Sequence, residues 1–349
     1  MSDDIDFGEL ADRLDSEGML GFTRLFVDDL EAAFAAETGL SPDADWNGVL
    51  CLGMGGSGAG GSFLAALSDR SAGLPFVAWK DYDLPAWWGP DWLVLATSYS
   101  GDTEETISGV RMALEGGGTV VGISSGGALQ QMVDGHDDAA WVEVPGGQPP
   151  RSAFGHLFGS QLNVCWSLGL LPKPEDADLD SMLARLREAS AGCDLLGHDE
   201  MATTIASSLE DRAIGIISTP CLAPVGIRFA NQFNENAGAF ARAVTIPEMH
   251  HNEMVAWDRP GVRDEQAILM LVWQGVHRRV GHRVDWTGES LDVDVAWRVE
   301  CEGESLLEAM LHGAHLTDWI SLALALLNGK DPTSIGPISA LKSHLADIE

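Results

Sequence analysis

Two short apolar runs constrain this chain most, because each breaks into a loop of glycine or hydroxyl residues and then into a helical stretch. The first is Gly48-Val49-Leu50-Cys51-Leu52, followed by Gly53-Met54-Gly55-Gly56-Ser57-Gly58-Ala59-Gly60-Gly61. The second is Trp92-Leu93-Val94-Leu95-Ala96-Thr97, followed by Ser98-Tyr99-Ser100-Gly101-Asp102-Thr103-Glu104-Glu105-Thr106. A short run that is apolar throughout and closed by turn residues reads as a strand covered on both faces. Glycine lets the backbone approach a ligand closely, and the free N–H groups of a helix start attract anions. The hydroxyls of the second loop add donors. Together the loops are expected to cradle a phosphate.

The same alternation runs through the chain. Residues 1–45 form an N-terminal helical segment, read as two helices with Leu10, Leu14, Leu20, Phe22, Leu25, Phe26, Leu30 and Phe34 at helical spacing. Strands are expected at 48–52, 75–79, 92–97, 119–123 and 141–144, with helices from about 57 to 69, from about 103 to 115 and from about 127. The loop Pro145-Gly146-Gly147-Gln148-Pro149-Pro150-Arg151 precedes an apolar helix at 153–171. Residues 172–200 form an acidic helical connector. A second alternation follows, with strands at 213–218, 240–246, 267–273 and 294–299, and helices from about 222 to 235, around 252–257 and at 305–328. The expected fold class is α/β, with two doubly wound parallel-sheet subdomains, residues 46–171 and 201–349, in a pseudo-duplicated arrangement. N-terminal helices precede them, and C-terminal helices close the second.

Charge narrows the partners. The 349 residues carry 53 acidic and 20 basic side chains, a net charge of -33. Nucleic acid and anionic membranes are disfavoured as partners. Acidity of this degree, with Lys80, Lys173, Lys330 and Lys342 as the lysines, suits a protein that stays solvated in high salt. Residues 1–10 hold four acids and no signal-like pattern, and no run of about 18 apolar residues suggests a membrane span, so a cytoplasmic protein is expected. The five cysteines are scattered, with no CxxC pair; Cys51, Cys165 and Cys221 lie in apolar stretches and read as core residues.

Several signals admit two readings. Gly53-x-Gly55-x-x-Gly58, with Asp81 after the next apolar run, fits a dinucleotide fingerprint, so a nicotinamide dehydrogenase remains an alternative. Hydroxyls at the second helix start suit one compact phosphate better than a spread pyrophosphate. Glu104 and Glu105 are also ordinary first-turn acids. Arg151 is either a surface ion-pair partner or a clamp on phosphate or sugar oxygens. Lys342, in Ile338-Ser339-Ala340-Leu341-Lys342-Ser343-His344-Leu345, is alone no more than a solvated helix charge. The polar cluster Asn231-Gln232-Phe233-Asn234-Glu235-Asn236 is followed by Pro247-Glu248-Met249-His250-His251-Asn252-Glu253. Adjacent histidines without HExxH spacing argue against zinc, whereas a carboxylate and a histidine suit proton transfer. Neither a metal nor an organic cofactor is expected.

In the motifs GMGGSGAGG, SYSGDTEET, PPRSAFG, NENAGAF, PEMHHNEMVAW and ISALKSHL, taken in this order, the chain resembles the sugar isomerase (SIS) family, and within it the bifunctional phosphoglucose/phosphomannose isomerases. The resemblance implies an aldose–ketose isomerase acting on glucose 6-phosphate, and on mannose 6-phosphate, to give fructose 6-phosphate. It implies that Gly56 and Ser57 lie at the sugar phosphate or its ring and that Ser98, Ser100 and Thr103 hold the phosphate. Arg151 would stabilise the enediol and Glu235 would move the proton between carbons 1 and 2. His251 would assist ring opening from the neighbouring subunit of a homodimer with a shared active site, with Lys342 near the ring oxygen. Two positions depart from the family pattern: His250 stands where an asparagine or small residue is expected, and Asp102 replaces an asparagine in the second loop. A non-catalytic SIS-type sugar-phosphate regulator is the other reading, although no basic helix-turn-helix segment accompanies it. An amidotransferase-type isomerase would need a glutaminase domain, and Met1-Ser2-Asp3 opens this chain instead.

Overall fold

Strand β1 (Gly48–Leu52) is buried at every position, and its side chains are divided between two layers. In the computed structural model, which describes residues 5–42, 45–197, 200–257 and 265–346, Val49 and Cys51 join a core with Phe63 and Leu64 of α4 (Gly55–Ser71) and Leu157 and Phe158 of α7 (Phe154–Ser167). Leu50 and Leu52 instead join Val110 and Ala113 of α5 (Glu104–Glu115) and Leu129 and Val133 of α6 (Gly127–Val133). Such two-sided cover is what a parallel sheet requires.

That sheet runs β2-β1-β3-β4-β5, all parallel, from β2 (Phe76–Trp79), β3 (Trp92–Thr97), β4 (Val120–Ser124) and β5 (Ala139–Glu143). The order changes direction between β1 and β3, and the two loops noted in the sequence leave the carboxyl ends of these strands. This switch point is where open α/β sheets bind ligands.

The second sheet runs β7-β6-β8-β9, also parallel, from β6 (Ala213–Ser218), β7 (Ala241–Thr245), β8 (Gln266–Val272) and β9 (Val295–Glu300). Its order repeats that of the first four strands, so the chain is doubly wound twice. Ile214, Ile216, Leu269 and Leu271 share the central core with Phe229 of α10 (Ala223–Gln232) and Ile320 of α13 (Leu306–Leu327). The opposite face, with Ile217, Ile268 and Met270, is covered by Trp257 of α11 (Met254–Trp257) and Val284 of α12 (Arg278–Ser290).

Helix α13 is long and apolar enough to cross a membrane, but 89% of its apolar window is buried within the fold. Glu308, His312, His315 and Asp318 interrupt it. Helix α8 (Asp176–Cys193) links the two sheets, followed by α9 (Glu200–Ser208). The N-terminal region holds α1 (Phe7–Leu14), α2 (Met19–Arg24) and α3 (Phe26–Ala35), three helices where the spacing predicts two, because the chain turns at Leu25. Helix α3 packs closely on α7: a Cβ at Gly155 would lie 2.7 Å from the Phe26 carbonyl oxygen, and one at Gly159 would lie 2.7 Å from the Ala33 Cβ. Helix α12 is absent from the sequence-based expectation, and only Val284 and Thr287 in it are buried. Helix α14 (Gly336–Leu345) ends the described chain and has no buried residue.

Candidate active site

The first glycine loop is shaped by close backbone approach. A Cβ at Gly58 would lie 2.2 Å from the Gly53 carbonyl oxygen, and one at Gly56 would lie 3.3 Å from the Cα of Arg151. Glycine at 56 therefore lets the loop sit directly against the Arg151 backbone. Ser57, next in the chain and buried, accepts a hydrogen bond from the Tyr99 N–H (3.1 Å) and so ties the first loop to the second.

The hydroxyls of the second loop converge. Ser98 is fully buried; its Oγ accepts from the N–H groups of Gly101 (3.1 Å) and Thr103 (3.4 Å) and lies 2.8 Å from the Thr103 Oγ1. Ser100 is exposed and accepts from the Asp102 N–H (3.2 Å). Thr103 is the N-cap of α5, and its side chain makes no cap bond there. Asp102 turns its carboxylate away from the hydroxyls, accepting from the Ala128 N–H (2.9 Å) in the first turn of α6. Glu104 likewise turns aside, accepting from the Tyr82 hydroxyl (3.1 Å). Two of the three acids of this loop, Asp102 and Glu104, thus have other partners.

Tyr99 holds the third segment in place. Its hydroxyl accepts from the Gln148 N–H (2.9 Å), anchoring the Pro/Gly loop that delivers Arg151. Arg151 is buried, 5% exposed. Its Nε donates to the Asn236 Oδ1 (2.5 Å), one terminal nitrogen donates to the Pro332 carbonyl, and the other faces the Glu235 Oε2 at 3.7 Å. Burial pushes its guanidinium below the usual value, against the opposing pull of Glu235 and then Asp331.

Glu235 rides on a π turn, Phe233–Ala237, at the end of α10. The helix predicted over 222–235 widens here, a feature common at functional sites. The Asn234 side chain exchanges two 3.0 Å bonds with the Ala241 backbone, pinning the turn to β7. Asn236 is buried and donates to the Ser321 Oγ (2.9 Å). At the far end of the turn, Asn328 donates to the Ala237 carbonyl (3.0 Å), and the Lys330 Nζ donates to the carbonyls of Glu235 (2.7 Å) and Asn236 (2.9 Å). These donors satisfy carbonyls that a helix end leaves open. The Lys330 ammonium also reaches the carbonyls of Asp331 and Ser334, and burial lowers its pKa.

Beneath Arg151 lies a buried ion pair. An Arg228 terminal nitrogen contacts both Asp318 carboxylate oxygens, at 2.8 and 3.0 Å, and also the Arg151 carbonyl at 3.2 Å. Gln232 donates to the same carboxylate, and the Arg228 guanidinium stacks 4.2 Å from the Phe154 ring centroid. Burial pushes the Asp318 carboxyl up, opposed first by Arg228 and then by Gln232. With Arg228 neutralised by Asp318, the charge of Arg151 is directed at Glu235, whose side chain is 28% exposed on the open side.

Not every expected site residue meets this cluster. His251 is exposed in the 3-10 turn Glu248–His251, and Lys342 is exposed on α14; no hydrogen bond or ion pair joins either to Arg151 or Glu235. The neighbouring His250 is already engaged. Its Nδ1 lies 2.9 Å from an Arg283 terminal nitrogen and its Nε2 lies 2.8 Å from the Thr287 Oγ1. Since guanidinium only donates, the Nδ1 accepts and the Nε2 carries the proton toward Thr287. Burial, then Arg283, hold the His250 pKa below its usual value.

Sequence reasoning did not find Arg228, Asp318, Lys330 or the role of Asn236. Asp318 carried a usable signal, because a carboxylate in the middle of a 22-residue apolar helix needs a buried partner.

Two parallel sheets of the same strand order, with hydroxyl and glycine loops at one switch point and a carboxylate–guanidinium pair beside them, define a protein of the SIS class. Residues 198–345 match the family model described as the bacterial phospho-glucose isomerase C-terminal SIS domain. A solved hypothetical protein of Thermus thermophilus shares the fold, with a TM-score of 0.75 at 16% identity, over 97% of this chain and 92% of that one. The chain belongs to the family of bifunctional phosphoglucose/phosphomannose isomerases. It is 34% identical over 303 residues to the member from Aquifex aeolicus, covering 86% of this chain and 91% of that protein. It is 31% identical over 314 residues to the member from Caldicellulosiruptor bescii, covering 87% and 91%.

Proposed function

We propose that this chain interconverts glucose 6-phosphate and mannose 6-phosphate with fructose 6-phosphate through a cis-enediol intermediate, and that it does so in the cytoplasm. Family membership supports the reaction class. The observation that carries the residue roles is the facing pair of Arg151 and Glu235 beside the two loops.

In this reading the sugar phosphate docks on Ser98, Ser100 and Thr103 and the N-terminus of α5, with Gly56 and Ser57 against its ring. Binding energy from this remote group orients the reacting carbons. Glu235 takes the proton from carbon 2 of the open-chain aldose, the electron pair forms the carbon 1–carbon 2 double bond, and the former carbonyl oxygen is protonated. The same carboxyl then returns the proton to carbon 1 as the carbon 2 carbonyl forms. Arg151 offsets the charge on the enediolate. At the enediol, carbon 2 is planar, so glucose and mannose phosphates lead to one intermediate. A site that tolerates either configuration at carbon 2 serves both.

Ring opening falls to His251 and Lys342, and we propose that a second copy of the chain brings His251 to the site in a homodimer. The outward-facing Ile338, Leu341 and Leu345 of α14 support such a contact. Residues 46–171 and 201–349 would be the two SIS units, joined by 172–200 and preceded by the helical segment 1–45.

The test is Glu235→Gln, assayed for fructose 6-phosphate formation from each aldose and for sugar-phosphate binding. Turnover is expected to fall about 10²- to 10⁴-fold with binding retained. Full turnover by the variant overturns the assignment of the base. A wild-type chain that binds the sugar phosphates without turnover would instead be a regulator.

A further inference from the structure

The largest concentration of positive charge in this acidic chain lies outside the site described above. Residues 266–284 contain no Asp or Glu, and His277-Arg278-Arg279-Val280-Gly281-His282-Arg283 within them holds three of the chain's arginines. The first turns of α12 carry these side chains along one wall of a groove of about 610 Å³. Arg278, Arg279, His282 and Arg283 line it together with His250, Met254 and Trp286. Arg278, Arg279 and His282 are exposed, and the Trp286 indole is 54% exposed.

Among the described residues, the carboxylates nearest in sequence are paired elsewhere. Asp285 pairs with Arg298 at 2.9 Å, and Glu253 pairs with Arg242 at 2.8 Å. Among the described residues no carboxylate forms an ion pair with Arg278, Arg279 or Arg283. In a chain of net charge -33, three guanidinium groups without a carboxylate partner on one helix face create a local field opposite to that of the rest of the surface.

The apolar wall is fixed in position. His250 stands edge-on to Trp286, with ring centroids 6.0 Å apart and planes at 86°. His250 is itself held by Arg283 and Thr287. An indole face so held, beside several guanidinium forks, suits a ligand with a flat ring at one end and several anionic oxygens at the other. The volume lies within the range of small-molecule sites.

We propose that this groove binds a nucleoside polyphosphate, the phosphates on Arg278, Arg279 and His282 and the base on Trp286. The groove's lining includes no residue of the same chain's sugar-phosphate loops, and the proposal does not rest on the isomerase reading.

The experiment uses the full chain with saturating fructose 6-phosphate, so that the loops are occupied. Binding of a fluorescent ATP analogue in EDTA is followed by anisotropy and competed with ATP and with inorganic triphosphate. Saturable binding is expected, with ATP competing more strongly than triphosphate. Arg278→Gln/Arg279→Gln is expected to weaken both competitors by about tenfold or more, and Trp286→Ala is expected to remove the advantage of ATP over triphosphate. These side chains are exposed, so the variants keep the fold, as circular dichroism can verify. Absent saturation, unchanged affinity in the double arginine variant, or equal competition by triphosphate and ATP in the wild type overturns the proposal. A changed sedimentation coefficient in the double variant also overturns it, because the groove would then be a contact between copies.

Discussion

Replacing Arg151 should slow the reaction far more than it loosens the fold. The side chain does three things at once: Nε serves Asn236 at 2.5 Å, one terminal nitrogen serves the Pro332 carbonyl, and the other faces Glu235 at 3.7 Å. Two unit charges at that distance interact by about 4 kcal/mol at an effective dielectric of about 20, an upper bound for what the guanidinium gives to nearby negative charge. Loss of one such oxyanion-stabilising group typically costs about 3–4 kcal/mol in the transition state. For Arg151→Gln we therefore expect kcat to fall about 10²- to 10³-fold with KM nearly unchanged. Arg151→Lys keeps the charge but offers one ammonium in place of a fork, so a smaller loss of about 10- to 10²-fold is expected. Stability should drop by only about 1–3 kcal/mol, from the acceptors left on Asn236 and Pro332, since Glu235 is partly open to water. Steady-state formation of fructose 6-phosphate, paired with denaturant melts, separates the two effects. A kcat within about threefold of wild type for Arg151→Gln, or a change confined to KM, would refute the placement of this charge at the reacting carbons.

Two further outcomes follow from other parts of the fold. Ser98→Ala removes the acceptor shared by the Gly101 and Thr103 N–H groups, so KM for each sugar phosphate should rise about tenfold with kcat largely kept; an unchanged KM would move the phosphate elsewhere. His315 is buried, its Nε2 accepts from the Trp319 indole (3.1 Å), and burial lowers its pKa to about 3. Below about pH 6.5 the unfolded imidazole takes a proton that the folded one refuses, so stability from this group is lost as pH falls from about 6.5 toward 3. Between pH 7 and 5 this amounts to about 2 kcal/mol, and His315→Gln should flatten the stability-versus-pH curve by that much in chemical denaturation; equal slopes in variant and wild type would contradict it.

The fold was legible where burial is two-sided and the chain says so locally. Each strand of the first sheet falls within two residues of its expected bounds, because runs such as Val94-Leu95-Ala96 fill both layers at once. Helix α12 was not legible, since Gly281, Gly288 and its cations leave only the short apolar pair Val280 and Val284; tertiary cover of β8, through these two, makes it helical. The site divides in the same way. Arg151 and Glu235 stand in recognisable motifs, but what holds them is remote in sequence: Lys330 reaches back 95 residues to the Glu235 carbonyl, and Asp318 lies 90 residues from Arg228. No local pattern announces the widening at Phe233–Ala237 either, because it depends on carbonyl partners supplied by Asn328 and Lys330.

The net charge of -33 and an anionic substrate are compatible because charge acts locally. Exposed carboxylates more than about 8 Å from the site are largely screened at physiological ionic strength, and at about 1 M salt the screening length shrinks to about 3 Å. Buried groups are screened much less, and Arg151 and Arg228 are both buried, against Asp318 and the partly open Glu235. Asp102 and Glu104, two of the acids of the loop proposed to hold the phosphate, are turned to Ala128 and Tyr82. In the proposed binding mode an approaching phosphate then meets the hydroxyls and N–H groups at the start of α5, with the surface charge reduced by salt. Raising ionic strength weakens the repulsion from the surface more than the attraction inside the cleft. An acidic shell and an anion-binding interior can therefore coexist in one chain, each effective over a different distance.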